Sequence, residues 1–298
     1  ALGQGFAAFV GPVYTRCVGL IERKRAAEQR AAQYGEEPPD KEFLVCALDL
    51  ISGVTEGMAD QVAPVIGAHA PSLLKALLVC MSDSSPDVRQ SAYALVGDLA
   101  KASIEVLRPG LSEFLPVLTE HLNPDFVSVC NNAAWAIGEI AIKVGADLRH
   151  YCSVEAILQR LIPIINRHES INKSLLENTA ITLGRLGVVA PELAAPLLET
   201  FIKPWCLALR SIRDDIEKEH AFMGLTAMIR LNPRAPLNCF VELCDAFCSW
   251  GTPPAELHQT FSQLLHGYKG SIPPEQWQAF MAGIPEDLRA RLTERYAL

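Results

Sequence analysis

Residues 126–144 read FVSVCNNAAWAIGEIAIKV. Phe126, Val129, Ala133, Ile137, Ile140 and Val144 recur every three or four residues, which predicts an α-helix with that stripe buried. Trp135 stands outside the stripe. Successive helical residues advance by 100°, so Trp135 lies about 160° from both Ala133 and Ile137, in line with Val127 and Asn131. The helix is expected to offer a tryptophan to something other than its own core.

The IGEI within this stretch is one of six similar motifs along the chain: SGVT, VGDL, IGEI, LGRL, MGLT and HGYK. Their glycines, Gly53, Gly97, Gly138, Gly184, Gly224 and Gly267, are separated by 44, 41, 46, 40 and 43 residues. That is the period at which paired helices stack into a HEAT- or armadillo-type solenoid. The predicted fold is therefore all-α: a HEAT-repeat α-solenoid over residues 1–298, with about six helix pairs and a short helical cap. In each pair the second helix carries the glycine and is expected to end near it. Turns are placed at 34–40 (YGEEPPD), 81–87 (MSDSSPD), 122–125 (LNPD), 168–172 (HESIN), 211–215 (SIRDD), 231–236 (LNPRAP) and 250–254 (WGTPP), where Pro, Asn, Asp and Ser start helices or turns. Pro163 and Pro204 are assigned to first helices, which they should bend. The second helices of pairs two to five lack interior proline, and form the expected straighter concave wall.

Composition agrees. Half of the 298 residues are hydrophobic and only 7% aromatic, which suits helix-on-helix packing. Charged residues interrupt every apolar run before the roughly 18–20 residues needed to span a bilayer. The N-terminal stretch lacks the features of a signal peptide, and the absence of Met before Met58 suggests a piece of a longer chain. Nine scattered cysteines, mostly within apolar helical stretches, read as buried thiols of a reducing compartment. Cys239, Cys244 and Cys248 cluster without ligand spacing, so no metal or other cofactor is expected. A net charge of −8 argues against direct nucleic-acid binding and favours basic partners. No HExxH motif, triad spacing or Gly-rich phosphate loop appears. Ser170–Lys173 spells SxxK, but Ser170 is read as a helix cap. The chain reads as a non-enzyme.

Several residues on the second helices do not fit a core. Ile181 bears the same relation to Gly184 as Trp135 does to Gly138, so the two are expected to neighbour each other on one wall, with Asn132 and Asn178 in matching register. Asn131, Asn132 and Asn178 can bond the backbone of an extended peptide. Asp98 and Glu139 directly follow repeat glycines, Asp49 and Glu56 lie on the equivalent upstream helix, and Glu177 adds another acid. Carboxylates beside an apolar patch attract Arg and Lys of an incoming segment.

The blocks PDKEFLVCALDLISG, VRQSAYALVGDLAKA, NPDFVSVCNNAAWAIGEIAI, LLENTAITLGRLG and FIKPWCLALRSIRDDIEKEHAF, in this order, resemble the C-terminal HEAT repeats of the transportins, in the karyopherin-beta superfamily of nuclear import receptors. The resemblance implies a surface for basic, disordered nuclear localisation signals of the proline-tyrosine type, often those of RNA-binding proteins. Positions matching Trp135, Val127 and Ile181 would meet the apolar or basic upstream part of the signal. Those matching Asp49, Asp98 and Ser174 would bind its polar and basic groups. Valine at 127 and serine at 174 depart from the family's usual isoleucine and threonine. The resemblance further implies shuttling between cytoplasm and nucleus and contact with nucleoporins. It places the Ran-GTP site and the proline-tyrosine pocket upstream of Ala1, and implies no membrane partner. The rival reading is a rigid HEAT-repeat scaffold within a multiprotein complex.

Overall fold

A computed structural model describes residues 3–58 and 62–298. Its regular structure is helical throughout, with no strand among the described residues. The chain divides into two compact units, Ala1–Arg160 and Leu161–Leu298.

In the first unit, α1 (Ala7–Tyr34), α3 (Ala63–Met81) and α5 (Leu111–Glu120) form one layer, while α2 (Glu42–Met58), α4 (Pro86–Leu107) and α6 (Val127–Val144) form the other. The second helices run as a row in which α4 packs against both α2 and α6. Each turn is fixed by local chemistry. Pro86 occupies the first turn of α4, where its missing N–H has no partner to lose. A buried carboxylate, Asp83, accepts from Arg25 of α1 at 2.6 Å and from Lys41 at 2.5 Å, tying the 35–41 turn to the turn before α4. These charges are paired and hydrogen-bonded, as burial requires.

After α7 (Val154–Ile165), the second unit repeats the plan with α8 (Lys173–Val189), α11 (Ile216–Leu231) and α13 (Ala255–Ser271) as glycine-bearing helices. The short α9 (Pro191–Ala194), α10 (Ile202–Leu209) and α12 (Phe240–Ser249) lie between them in sequence. Trp205 is completely buried and its indole N–H donates to Ala180 O at 2.9 Å, fastening α10 to α8. Asn172 and Asp215 cap α8 and α11 by accepting from the second and third helical N–H groups, each worth about 1 kcal/mol. Ser170 is not the cap of α8; its hydroxyl donates back to Arg167 O. Pro204 lies in the first turn of α10 and takes no hydrogen bond from that helix.

The tail folds as the two expected segments, α14 (Pro274–Gly283) and α15 (Glu286–Tyr296). Trp277 and Phe280 meet Phe240. Arg295 donates to Trp250 O at 2.6 Å, and Tyr296 stacks on His258.

All six repeat glycines fall on the second helices, but within them rather than at their ends. Two show why glycine is needed. A Cβ on Gly184 would stand 2.2 Å from the Cα of Ala221, and one on Gly224 would stand 1.9 Å from the carbonyl oxygen of Gly184. At this level α8 and α11 touch backbone to backbone. One expectation fails at the start of α6: Phe126 is 51% exposed, not buried. It is the N-cap, with φ −112° and ψ 73°, so the helical wheel does not govern it. Its ring lies 5.8 Å from the guanidinium of Arg89.

Candidate functional site

On the open side of the first unit's second-helix row, α2, α4 and α6 present a mixed apolar and acidic surface. Helix α2 exposes Asp49, Leu50 and Glu56; Asp49 and Glu56, seven residues apart, share one side of the helix, and Leu50 lies about 100° round from Asp49. Helix α6 contributes Val127, 38% exposed, and the half-buried Asn131 and Trp135. These three lie four residues apart, which is the stripe the wheel predicts.

The indole of Trp135 rests on α4. A Cβ placed on Gly97 would fall 2.1 Å from the ring's Cζ3 and 2.4 Å from its Cε3. Gly97 is therefore the seat of the ring, and any side chain there must push it away. The ring is supported on one side and partly open on the other, so it loses little freedom when a ligand covers it.

Beside this seat is Asp98, half-buried. Its carboxylate accepts from the Ser52 hydroxyl across the α2–α4 interface. Burial raises its pKa from 3.8 to about 6; the Ser52 bond opposes that rise, Glu56 and Glu139 add to it and Lys101 opposes it. Desolvation and like charge both disfavour the ionised form, which a cation placed at the site would restore. From the sequence, Gly97 is read only as a repeat glycine, and Ser52 is not singled out. Their signal is positional, since Ser52 directly precedes one repeat glycine and Asp98 directly follows another.

The asparagines divide. Asn132 Nδ2 donates to the backbone O of Gln90 at 3.0 Å, linking α6 to α4, while Asn131 Nδ2 donates to Asn132 Oδ1 at 3.1 Å. Asn132 thus ties two helices of the row together, and Asn131 braces its side-chain amide from within α6. Glu139 is a correction: at 4% exposure it is buried and cannot meet a ligand directly, because the tight packing of α6 on α4 covers it. Its influence passes through the Asp98 carboxyl.

In the second unit, Ser174 is exposed in the first turn of α8, and its backbone N–H is held by the Asn172 cap at 2.9 Å. Glu177 is half-buried and pairs with Lys173 at 3.6 Å; Asn178 is half-buried. Ile181 is the second correction. It is only 3% exposed, within an unbroken buried run from Thr179 to Gly187. Nine consecutive residues exceed two helical turns, so every side of α8 is covered there and no outward position exists. Trp135 and Ile181 occupy equivalent places in the repeat without equivalent exposure.

Among the described residues no group of His, Cys, Asp and Glu is arranged to hold a metal ion. All nine cysteines are free and most are buried. Burial pushes the Cys80, Cys239 and Cys248 thiols up to about 11, away from the thiolate that chemistry would require.

Residues 73–103 match the HEAT repeat family model. Over 300 residues the chain is 44% identical to transportin-1 of Homo sapiens and 43% identical to that of Mus musculus; each alignment takes in the whole chain and 33% of the relative. Importin subunit beta-2 of Schizosaccharomyces pombe is 37% identical over 273 residues, covering 90% of the chain and 29% of the relative. The chain thus spans about a third of the length of these relatives. Among solved structures, importin beta superposes with a TM-score of 0.59 at 13% identity, over 98% of this chain and 38% of that one. A computationally designed armadillo repeat protein for modular peptide recognition gives 0.55 at 17% identity, over 83% and 98% of the two chains. At such identities these structures establish the α-solenoid fold alone.

Proposed function

We propose that this chain, homologous along its whole length to one third of the transportins, holds nuclear localisation signals on its second-helix surface as part of a nuclear import receptor. The ligand class is an extended, basic and apolar segment, the upstream part of a proline-tyrosine signal. The observation that carries this reading is the Trp135 ring seated on Gly97 beside a carboxyl that burial and neighbouring acids hold up near 6. An apolar side chain covers the indole, or a guanidinium stacks on it. The same segment's positive charge offsets the cost of ionising Asp98, with Glu56 and Asp49 extending the acidic track along α2. Val127 widens the apolar floor on α6. In the second unit Ser174 offers a hydroxyl, while Glu177 is already partnered by Lys173. Ile181 acts from within, as core.

Several modest subsites have to act together. A buried aromatic anchor is commonly worth about 2 kcal/mol or more, against about 2–5 kcal/mol for ordering a flexible segment. Linkage of weak contacts supplies the difference. Release by Ran-GTP, contact with nucleoporins and shuttling between cytoplasm and nucleus belong to the complete receptor on the same proposal.

The test is a titration of a fluorescent basic-apolar signal peptide against the chain and its Trp135→Ala variant. Because the ring is partly open, the variant is expected to keep its helical circular dichroism and melting curve. Its affinity should fall by about tenfold or more, equivalent to about 1.4 kcal/mol or more. Equal affinity for the two proteins would remove Trp135 from the site.

A further inference from the structure

The second unit has a groove that the surface around Trp135 does not include. It is about 300 Å³ in volume and lies where α11 meets α8 and α13, floored by Val188, Met223 and Leu257. Of the six residues that directly precede a repeat glycine, Met223 and His266 are exposed. Val96, Ile137 and Leu183, which likewise directly precede a repeat glycine, are fully buried, whereas Met223 is 42% exposed. Gly224 turns toward the Gly184 backbone, and the residue before it, 100° around the helix, faces the groove. An unbranched thioether adapts to different apolar side chains.

The groove is electrically polar along its length. Glu219 and Glu256, in the first turns of α11 and α13, lie at one end, and Arg230, in the last turn of α11, lies at the other. Neither carboxylate has an ion-pair partner among the described residues. Among the described residues Arg230 makes one long contact, 3.5 Å to the Thr260 hydroxyl. Glu219 and Met223 are four residues apart on α11, a rise of about 6 Å. In an extended peptide, residues two apart point to the same side and are separated by about 6.6 Å.

We infer that this groove is a separate docking subsite for an extended peptide segment carrying a basic residue, any residue, then an apolar residue. The basic side chain meets Glu219 and Glu256, and the apolar one sits on Met223. The inference draws on the proposed function for the class of partner only. The spacing rule and the location are its own.

The test uses the whole chain with its five methionines labelled at the methyl carbon, titrated with the synthetic peptides GSRSLSG and GSRLSSG. The Met223 signal is identified by Met223→Leu. GSRSLSG is expected to move the Met223 methyl signal saturably. GSRLSSG, with the same composition and altered spacing, should bind about fivefold more weakly, and Glu219→Gln should weaken GSRSLSG by a similar factor, as for one exposed charge pair. A Met223 signal that stays still, or equal affinities for the two peptides, overturns the proposal. Titrating the Trp135→Ala variant separates the two readings. An unchanged Met223 response there supports an independent subsite even if Trp135 proves irrelevant to longer signals. A response lost with Trp135 overturns it.

Discussion

Asp98 links burial to an expected pH dependence of stability and of the proposed binding. Its pKa of about 6 lies above the ordinary 3.8, so the folded chain binds a proton more tightly than the unfolded one. Stability linked to this group is fully present below about pH 4 and is lost as pH rises through about 6. Binding of a cation carries the opposite sign, because it needs the carboxylate. Affinity for a basic segment is expected to climb between about pH 5 and pH 7 and then level off, with Asp98→Asn flattening the profile. Titration of one peptide at three pH values checks both statements. A profile unchanged by Asp98→Asn would assign the pH dependence to another group. The sequence places Asp98 on a second helix, directly after a repeat glycine, where the structure has it. It does not reveal the part played by Ser52 or the burial of Glu139, since neither the α2–α4 hydrogen bond nor the covering of α6 can be read from spacing along one helix.

At the level of elements, the repeat glycines do different jobs behind one motif. Gly184 and Gly224 let α8 and α11 touch through their backbones, whereas Gly97 seats an aromatic ring. Substitutions should separate these roles. Gly184→Ala drives a methyl into the backbone of Ala221, which cannot swing aside, and is expected to cost about 1–3 kcal/mol in denaturant unfolding. Gly97→Ala meets the far end of the Trp135 side chain, which can rotate away. It should leave the unfolding midpoint nearer that of the parent while weakening segment binding. The reverse ranking would show that Trp135 is held as rigidly as backbone. Nothing in VGDL and LGRL separates the two glycines, because the difference lies in what the neighbouring helix brings to each.

For the molecule as a whole, a net charge of −8 and exposed acids on α2 predict a long-range part to the proposed attraction of basic segments. That part is screened over about 8 Å at physiological ionic strength, so affinity is expected to fall as salt rises from about 50 to 500 mM. The Trp135 contribution should persist. A salt-independent affinity would leave apolar contact as the sole source of binding. The sequence by itself determined the helical class, the 40–46-residue period, the turns and which helix of each pair carries the glycine. All of these follow from local propensity and periodicity, which act within one or two helices. Only the tertiary structure decided which outward positions stay open. Trp135 and Ile181 hold the same place in their motifs, yet one is half-open on Gly97 and the other is enclosed in a helix covered on all sides. Exposure is set by the packing partners that surround a helix, and a single helix's periodicity does not contain them.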